Sequence, residues 1–470
     1  MMKVIISNEI TIIEPVQEIM DWCKRELVLP NPDYAKKERM GLWVGNTPRT
    51  LCLYKINGNS VILPIGAFRY IKPILNRYDV KYERELADNE LVSYNAKVNL
   101  YDYQEKAVEQ MYNAGYGILQ SPAGSGKTQM GIALAVKLGR KCLWLTHTQD
   151  LLKQSYDRAS QYIDKSLLGT ITAGKVNIGA GITFATVQTL AKQDLTQYKY
   201  MWDVVIVDEC HRVAGTPTSM TQFSKVISNL ACRYKYGLSA TVHRADGMIK
   251  CCYMLLGDVK YIVPDEAVKD KVMSVKIARV DTMCNMPMSA LDTDGTINYT
   301  KLITELANKA SRNDCIWNKL EAEPEHYHLI LSDRLDQLYI LYDYLPPELK
   351  ELASVIDGSM TSKKGKAERE QAIEDMRAGK KHFLFASYKL AKEGLDIPRL
   401  DRLHLATPQK DYAIIVQSVG RIARTFDGKE QPICFDYVDN FKMADNMYKL
   451  RCRHYKKCGC EIKEAKNENF

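Results

Sequence analysis

The stretch VVIVDECHRV, residues 204–213, sets Asp208, Glu209, Cys210 and His211 in a row behind a run of four apolar residues. Four metal-capable side chains in succession invite the reading of a metal site made from neighbours. Successive residues leaving a strand point in different directions, however, so these four cannot close on one tetrahedral ion. Asp208 instead ends the hydrophobic run, at the carboxyl edge of a buried parallel strand, where open α/β sheets bind their ligands. An aspartate there can hold a magnesium ion, directly or through water, and Glu209 beside it can polarise an attacking water. This reading requires a phosphate cradle elsewhere in the chain.

The cradle lies 80 residues upstream, in SPAGSGKTQMG at 121–131, between the strand-like GILQ and the apolar helical pattern IALAVKL. Gly124, Ser125 and Gly126 form a loop whose backbone N–H groups can turn inward around phosphates, and the following helix N-terminus favours negative charge. Lys127 is placed to reach the β- and γ-phosphates and Thr128 to hold the metal ion. Ser121 stands where the common pattern has its first glycine. A glycine turn capping a helix is the simpler alternative, and the Lys-Thr pair in this strand-loop-helix context speaks against it.

Outward from these two motifs the chain shows a rhythm. GILQS, CLWLTHT, ITFATV, DVVIVD and KYGLSAT are each followed by a polar turn and a longer amphipathic segment. After a Met/Pro/Asp-rich loop at 283–298 the rhythm resumes with HYHLILSD, LASVIDG, HFLFASY, RLHLATP and PICFDYVD. Alternation of this kind predicts parallel sheets covered by helices. The expected fold is α/β, with two tandem parallel-sheet domains at 96–265 and 266–470 and a small α+β domain at 1–95. That first piece is close to neutral, with 13 Lys/Arg against 12 Asp/Glu over residues 1–90.

Composition narrows the class. The 470 residues are 46% hydrophobic and 26% charged, and no apolar run approaches the ~18 residues a membrane helix needs. The first residues carry an early Glu9 and no small-residue cleavage site, unlike a signal peptide. Thirteen cysteines without a repeating spacing predict a reduced, cytoplasmic protein. A net charge of +8 permits a polyanionic partner without demonstrating one.

A third motif, QSVGRIAR at 417–424, falls in the second α/β domain on a predicted helix. Arg421 and Arg424 are three apart, a spacing that predicts one shared helix face. Two guanidiniums aimed across a cleft can stabilise charge developing on a γ-phosphate. On that reading ATP clamps the two domains together and hydrolysis releases them.

From about residue 97 to 445 these motifs, in this order, resemble the superfamily 2 helicases. SPAGSGKT is similar to motif I, LTHTQDLLKQ to motif Ia, ATVQTL to motif Ib/Ic, DECH to motif II and LSAT to motif III. LILSD is similar to motif IV, ASYKLAKEGLDIP to motif V and QSVGRIAR to motif VI. GLSATVHRADG together with EGLDIP resembles most the group of XPB and phage UvsW-type helicases, whose arginine after motif III is matched by Arg244.

The resemblance implies two RecA-like domains that use ATP and Mg2+. It implies that Gln104 contacts adenine, that Lys127, Thr128, Asp208 and Glu209 hold the phosphates, metal and water, and that Ser239 and Thr241 couple the site to movement. Gly394 and Asp396 would meet ATP from the second domain, with Gln417, Arg421 and Arg424 at the γ-phosphate. Thr148, Thr186, Ser332 and Ser387 fall in motifs that grip the nucleic-acid backbone, which positions a strand without reading its sequence. Two departures stand out: Tyr101 replaces an arginine often found three residues before the glutamine, and Ser387 replaces a threonine.

Other features weigh less. Cys452, His454, Cys458 and Cys460 lack the pair spacing of zinc modules. Residues 441–470 hold eight Lys/Arg against four Asp/Glu, which predicts a helix with a basic tail. The expected function is an ATP-driven DNA helicase or translocase acting on branched DNA as a monomer, in viral replication, recombination or repair in the host cytoplasm. The alternatives are an RNA helicase of the DEAD-box kind and a viral DNA-packaging motor. The last requires a carboxylate cluster for two metals, and the second half carries motifs V and VI instead.

Overall fold

A computed structural model of the chain describes residues 2–122, 124–213, 221–242, 247–268, 272–360, 362–392 and 395–463. Apart from the loop 123–125, the chain divides after Pro264 into two compact units.

The first unit contains two principal sheets. The smaller has the order Lys55–Asn57, Ser60–Pro64, Glu9–Ile13, Met2–Ile6 and Val80–Arg84, antiparallel except for the last pair. Its strands alternate: Ile10 and Ile12 on one, Val4 and Ile6 on the next, are buried while their neighbours are partly open. The helices Gln17–Glu26 and Phe68–Leu75 cover the apolar face with Ile19, Trp22, Cys23, Ile71 and Leu75.

The larger sheet has eight strands, in the order Lys175–Asn177, Leu168–Thr172, Ile182–Thr186, Cys142–Thr146, Val204–Asp208, Tyr234–Ser239, Tyr116–Gln120 and Val259–Ile262. All pairs are parallel except the first, an antiparallel edge hairpin. The central strands are buried along their whole length, which is why they read as unbroken apolar runs rather than as alternations. The register pairs Thr186 with Thr146, Asp208 with Leu238 and Ser239 with Gln120. The parallel arrangement therefore delivers the ends of motifs I, Ia, Ib, II and III to one edge.

The two sheets share a helix. Ile249–Leu256, which follows motif III, sends Cys252, Leu255 and Leu256 into the core of the large sheet. Met248, Cys251 and Met254 enter the core of the small one. Adjacent cysteines thus face two different cores. Polar links reinforce this seat: Lys250 Nζ lies 3.1 Å from Glu26, Arg69 pairs with Asp258, and Asn8 Nδ2 donates to Ser228 O at 2.6 Å. Residues 2–84 are consequently built onto the first unit and do not bury a core from their own residues alone.

In the second unit all seven strands are parallel, in the order Ala353–Ile356, Phe383–Ser387, His328–Ser332, Arg402–Leu405, Ile433–Val438, Lys276–Asp281 and Glu461–Lys463. The basic tail expected at the C-terminal end is only partly one. Arg451, on the helix Lys442–Lys457, is buried and grips Asp436 with two hydrogen bonds of 2.7 Å, while Tyr455 donates to the same carboxylate. After Gly459 the chain re-enters the sheet as Glu461–Lys463. Counting charges along the sequence misses this because it carries no information on burial.

Gly66 supplies a test of the shared helix. A Cβ built on it would lie 2.3 Å from Tyr253 O and 2.7 Å from the Met254 carbonyl, main-chain atoms that cannot rotate away. Gly66→Ala is expected to destabilise the protein by about 1–3 kcal/mol, the usual cost of overpacking, seen as a lower Tm. An unchanged Tm would show that the helix is not seated against residue 66.

Candidate active site

The strand Tyr116–Gln120 runs into the loop 121–126 and the helix Lys127–Leu138. Gly124 and Gly126 have φ of 82° and 80°, a left-handed backbone in which a side chain is disfavoured. Gly126 is constrained twice, since a Cβ there would come within 2.5 Å of Gln104 Nε2. Gln104, 2% exposed, therefore packs directly against the phosphate loop, and its Oε1 accepts from Tyr101 N at 3.0 Å. Ser125 is buried as well. Lys127 opens the helix and folds back, its Nζ 3.4 Å from Ser121 O and from Pro122 O. Ser121, the departure from the common pattern, is buried, and its N–H donates to Ser239 O at 3.0 Å.

Asp208 ends its strand almost completely buried. Burial, reinforced by the charge of Glu209 and opposed by that of Lys127, pushes its carboxyl up to about 7. Glu209 follows with φ 50° and ψ 48°, an uncommon backbone for a side-chain-bearing residue. That turn breaks the strand, and the Glu209 N–H donates to Asp208 Oδ1 at 3.0 Å.

The four consecutive side chains diverge. Cys210 packs against Gly237, and its carbonyl accepts from Cys252 Sγ at 3.2 Å. His211 Nδ1 lies 2.9 Å from Ser239 Oγ and 3.2 Å from Glu209 Oε2. The Ser239 hydroxyl donates to Thr241 O at 2.6 Å. Since its single proton goes there, the imidazole must donate through Nδ1–H. Motif II is joined in this way to motif III, and motif III through Ser121 to motif I.

Does this arrangement fit a magnesium nucleotide? A buried carboxylate in an apolar sheet edge calls for a cation, and oxygen donors suit a hard divalent ion. The glycine turns leave backbone N–H groups and a helix N-terminus for phosphate oxygens. Thr128, half-buried in the first turn of that helix, supplies a hydroxyl. The residues fit.

The candidate nucleic-acid contacts differ among themselves. Thr148 caps the helix Gln149–Ala159 by accepting from Leu151 N at 3.3 Å, and Thr186 donates to Thr189 Oγ1 at 2.9 Å at the next strand end. Gln188 Nε2 bridges the two loops by donating to His147 O at 2.7 Å. Ser387, half-buried at its strand end, accepts from Leu390 N at 3.4 Å. Ser332 is a correction. It is fully buried, its hydroxyl donates to Gln337 Oε1 at 2.7 Å and accepts from Arg334 N at 2.9 Å. In this structure its hydroxyl is taken up in fixing the turn.

The two arginines need a second correction. The helix Tyr412–Ile422 ends before Arg424, which pairs with Val272 in an isolated antiparallel bridge, while Met273 N donates to Ala423 O at 2.7 Å. Arg421 and Arg424 therefore do not share a helix face. They converge instead on motif V: Arg421 donates to Leu395 O at 3.1 Å and Arg424 forms an ion pair with Asp396. Gln417 is buried, its Oε1 without a hydrogen-bond partner among the described residues. Arg244 and Gly394 lie outside the described residues.

Residues 97–244 match the family model of the type III restriction enzyme res subunit, and residues 311–426 match the helicase conserved C-terminal domain. The chain is 28% identical over 397 residues to the putative ATP-dependent RNA helicase L396 of Acanthamoeba polyphaga mimivirus, covering 82% of this chain and 72% of that one. It is 25% identical over 309 residues to the DNA 3'-5' helicase XPB of Mycobacterium tuberculosis, covering 64% of this chain and 53% of that one. Among solved structures, S. cerevisiae Dbp5 bound to RNA and ADP BeF3 shares the fold at a TM-score of 0.55, with 17% identity and coverage of 78% and 89%. Two helicase domains in series, with a P-loop and a DECH box meeting at one sheet edge, carry one conclusion: the chain belongs to the superfamily 2 helicases, ATP-dependent enzymes, in the group that includes XPB.

Proposed function

We propose that this helicase acts on DNA, as a motor that remodels branched structures such as forks, D-loops and Holliday junctions. The observation that carries the motor is the hydrogen-bonded chain from His211 through Ser239 to Thr241 and Ser121, with the Glu209 carboxylate 3.2 Å from the same imidazole nitrogen. It joins three strand ends of the sheet next to the carboxylate beside the attacking water. Support for DNA comes from the XPB relative's name and from GLSATVHRADG with EGLDIP; the mimivirus relative's name favours the RNA alternative.

In this proposal Gln104 sits at the adenine, Lys127 neutralises phosphate charge, and Thr128 and Asp208 hold Mg2+. The ion supplies charge stabilisation at the phosphates when bound. Glu209 orients and deprotonates the water, with the His211 ring beside its carboxylate. Arg421 and Arg424 stabilise developing charge on the γ-phosphate. Thr148, Thr186 and Ser387 remain the proposed contacts to the nucleic-acid backbone.

Lys127→Ala and Glu209→Gln are each expected to lower ATP turnover by at least ~100-fold, because positioning and charge stabilisation are most of phosphoryl-transfer catalysis. Glu209→Gln should retain ATP binding. Turnover at the wild-type rate in either variant would remove the site assignment. ATPase stimulation measured with single-stranded DNA, duplex, a fork, a four-way junction and RNA tests the substrate: highest stimulation by RNA would replace DNA as the partner.

Asp208 gives a pH-dependent prediction for the nucleotide- and metal-free protein. Its folded pKa is raised above the unfolded value, so its contribution to stability is fully present below ~4 and is lost as pH rises through about 7. Asp208→Asn removes that loss. The variant is expected to melt above wild type at pH 8, with the gap shrinking toward pH 4. A gap that is constant across this range contradicts the burial argument.

A further inference from the structure

The N-terminal part of the first unit carries an exposed tip beside a two-stranded ribbon, Val28–Pro30 with Thr50–Cys52, that the ATP site does not use. Between the helix Pro32–Arg39 and the strand Thr50–Cys52 the chain reads MGLWVGNTPR, residues 40–49. Trp43 is 87% exposed, with Met40 at 60% and Leu42 at 54% beside it. Of the five tryptophans, Trp22, Trp144 and Trp202 are buried and Trp317 is half-buried, so an open indole is peculiar to this position.

The tip is built, not frayed. Gly41 and Gly45 flank it with φ of 63° and 51°, and the indole lies across Gly45, where a Cβ would come within 3.0 Å of the ring. Leu42 N donates to Lys37 O at 2.9 Å, Lys37 Nζ to Thr47 Oγ1 at 2.7 Å, and Asn31 Nδ2 to Pro48 O at 2.7 Å. The loop is thereby closed at its base and its aromatic ring is held in one place.

Charge identifies the occupant. Residues 36–49 contain Lys36, Lys37, Arg39 and Arg49 against the single carboxylate Glu38. The remainder of residues 1–90 has nine Lys/Arg against eleven Asp/Glu, so positive charge in this module is concentrated around the tryptophan. Lys36, Arg39 and Arg49 are exposed and form no ion pair among the described residues. An exposed ring with uncommitted cations within a few residues of it along the chain matches an unpaired base with its phosphates: the ring stacks on the base face, and the cations neutralise the backbone.

We infer that the 40–49 tip is a nucleic-acid contact in which Trp43 stacks on an unpaired base at a strand junction. This deepens the proposed function and rests on it. Deletion of the whole module is the wrong test, because it would uncover Met248, Cys251 and Met254. A point substitution at an exposed ring leaves the core alone.

The experiment uses the full chain with a synthetic DNA fork carrying one single-stranded arm, followed by intrinsic tryptophan fluorescence and by fork affinity. Wild type is expected to show quenching on titration. Trp43→Ala should lose most of that quenching and bind the fork about tenfold more weakly, at unchanged Tm and unchanged ATPase rate without nucleic acid. Trp43→Phe should restore most of the affinity. Fork affinity in Trp43→Ala equal to wild type overturns the inference and leaves the tip to a protein partner, while the helicase reading stands. A wild-type protein whose ATPase responds to no nucleic acid overturns both.

Discussion

A carboxylate that the sheet cannot solvate sits at the end of the Val204–Asp208 strand. Apolar strands on either side remove water from Asp208, and an anion there is tolerable only with positive charge nearby. Lys127 provides part of it. The glycine loop that brings Lys127 back over Ser121 and Pro122, and the left-handed turn at Glu209, both serve the same few ångströms. The burial that raises the Asp208 pKa also makes a divalent cation a stronger partner there than it would be in water. In the proposed site, attraction for a divalent cation and cost to the empty fold would have one origin.

From that edge, structure propagates in two directions. His211, Ser239 and Ser121 tie three strand ends by hydrogen bonds. Behind them Cys210 meets Cys252 on the helix Ile249–Leu256, whose opposite face belongs to the core of the small sheet. Motif II and the N-terminal sheet are thus separated by one helix.

The sequence exposed the central strands and the ATP-site motifs because their physics is local. CLWLT, ITFAT and VVIVD are buried on both faces and read as continuous apolar runs, and a phosphate loop needs its residues in one short segment. Edge strands escaped detection. VKYI at 259–262 and EIK at 461–463 are short and partly polar, and their pairing is made by backbone groups that composition does not reveal. The end of the helix before Arg424 escaped too: the next breaker downstream, Gly428, lies beyond it, and the bridge to Val272 is a long-range contact. Ser332 and Ser387 end adjacent strands in the same register. Only the neighbours of each, Gln337 for one and solvent for the other, separate a structural hydroxyl from an accessible one. Arg451 reads as surface charge in the sequence because its buried partner, Asp436, lies 15 residues away on a strand.

Strand order in the second unit has a consequence for how the protein is made. Lys276–Asp281 is synthesised first among its strands, yet its neighbours in the sheet are Ile433–Val438 and Glu461–Lys463. On a ribosome adding about 5–20 residues per second, that strand waits roughly 8–30 s for its first partner. During this interval its backbone edge is open to other chains, and its only protection is sequence. KIARVD carries Lys276, Arg279 and Asp281 among its apolar residues, the kind of charge that discourages edge-to-edge pairing. The polar character that hid this strand from a hydrophobicity reading thus puts edge-discouraging charge on the strand whose partners are made last.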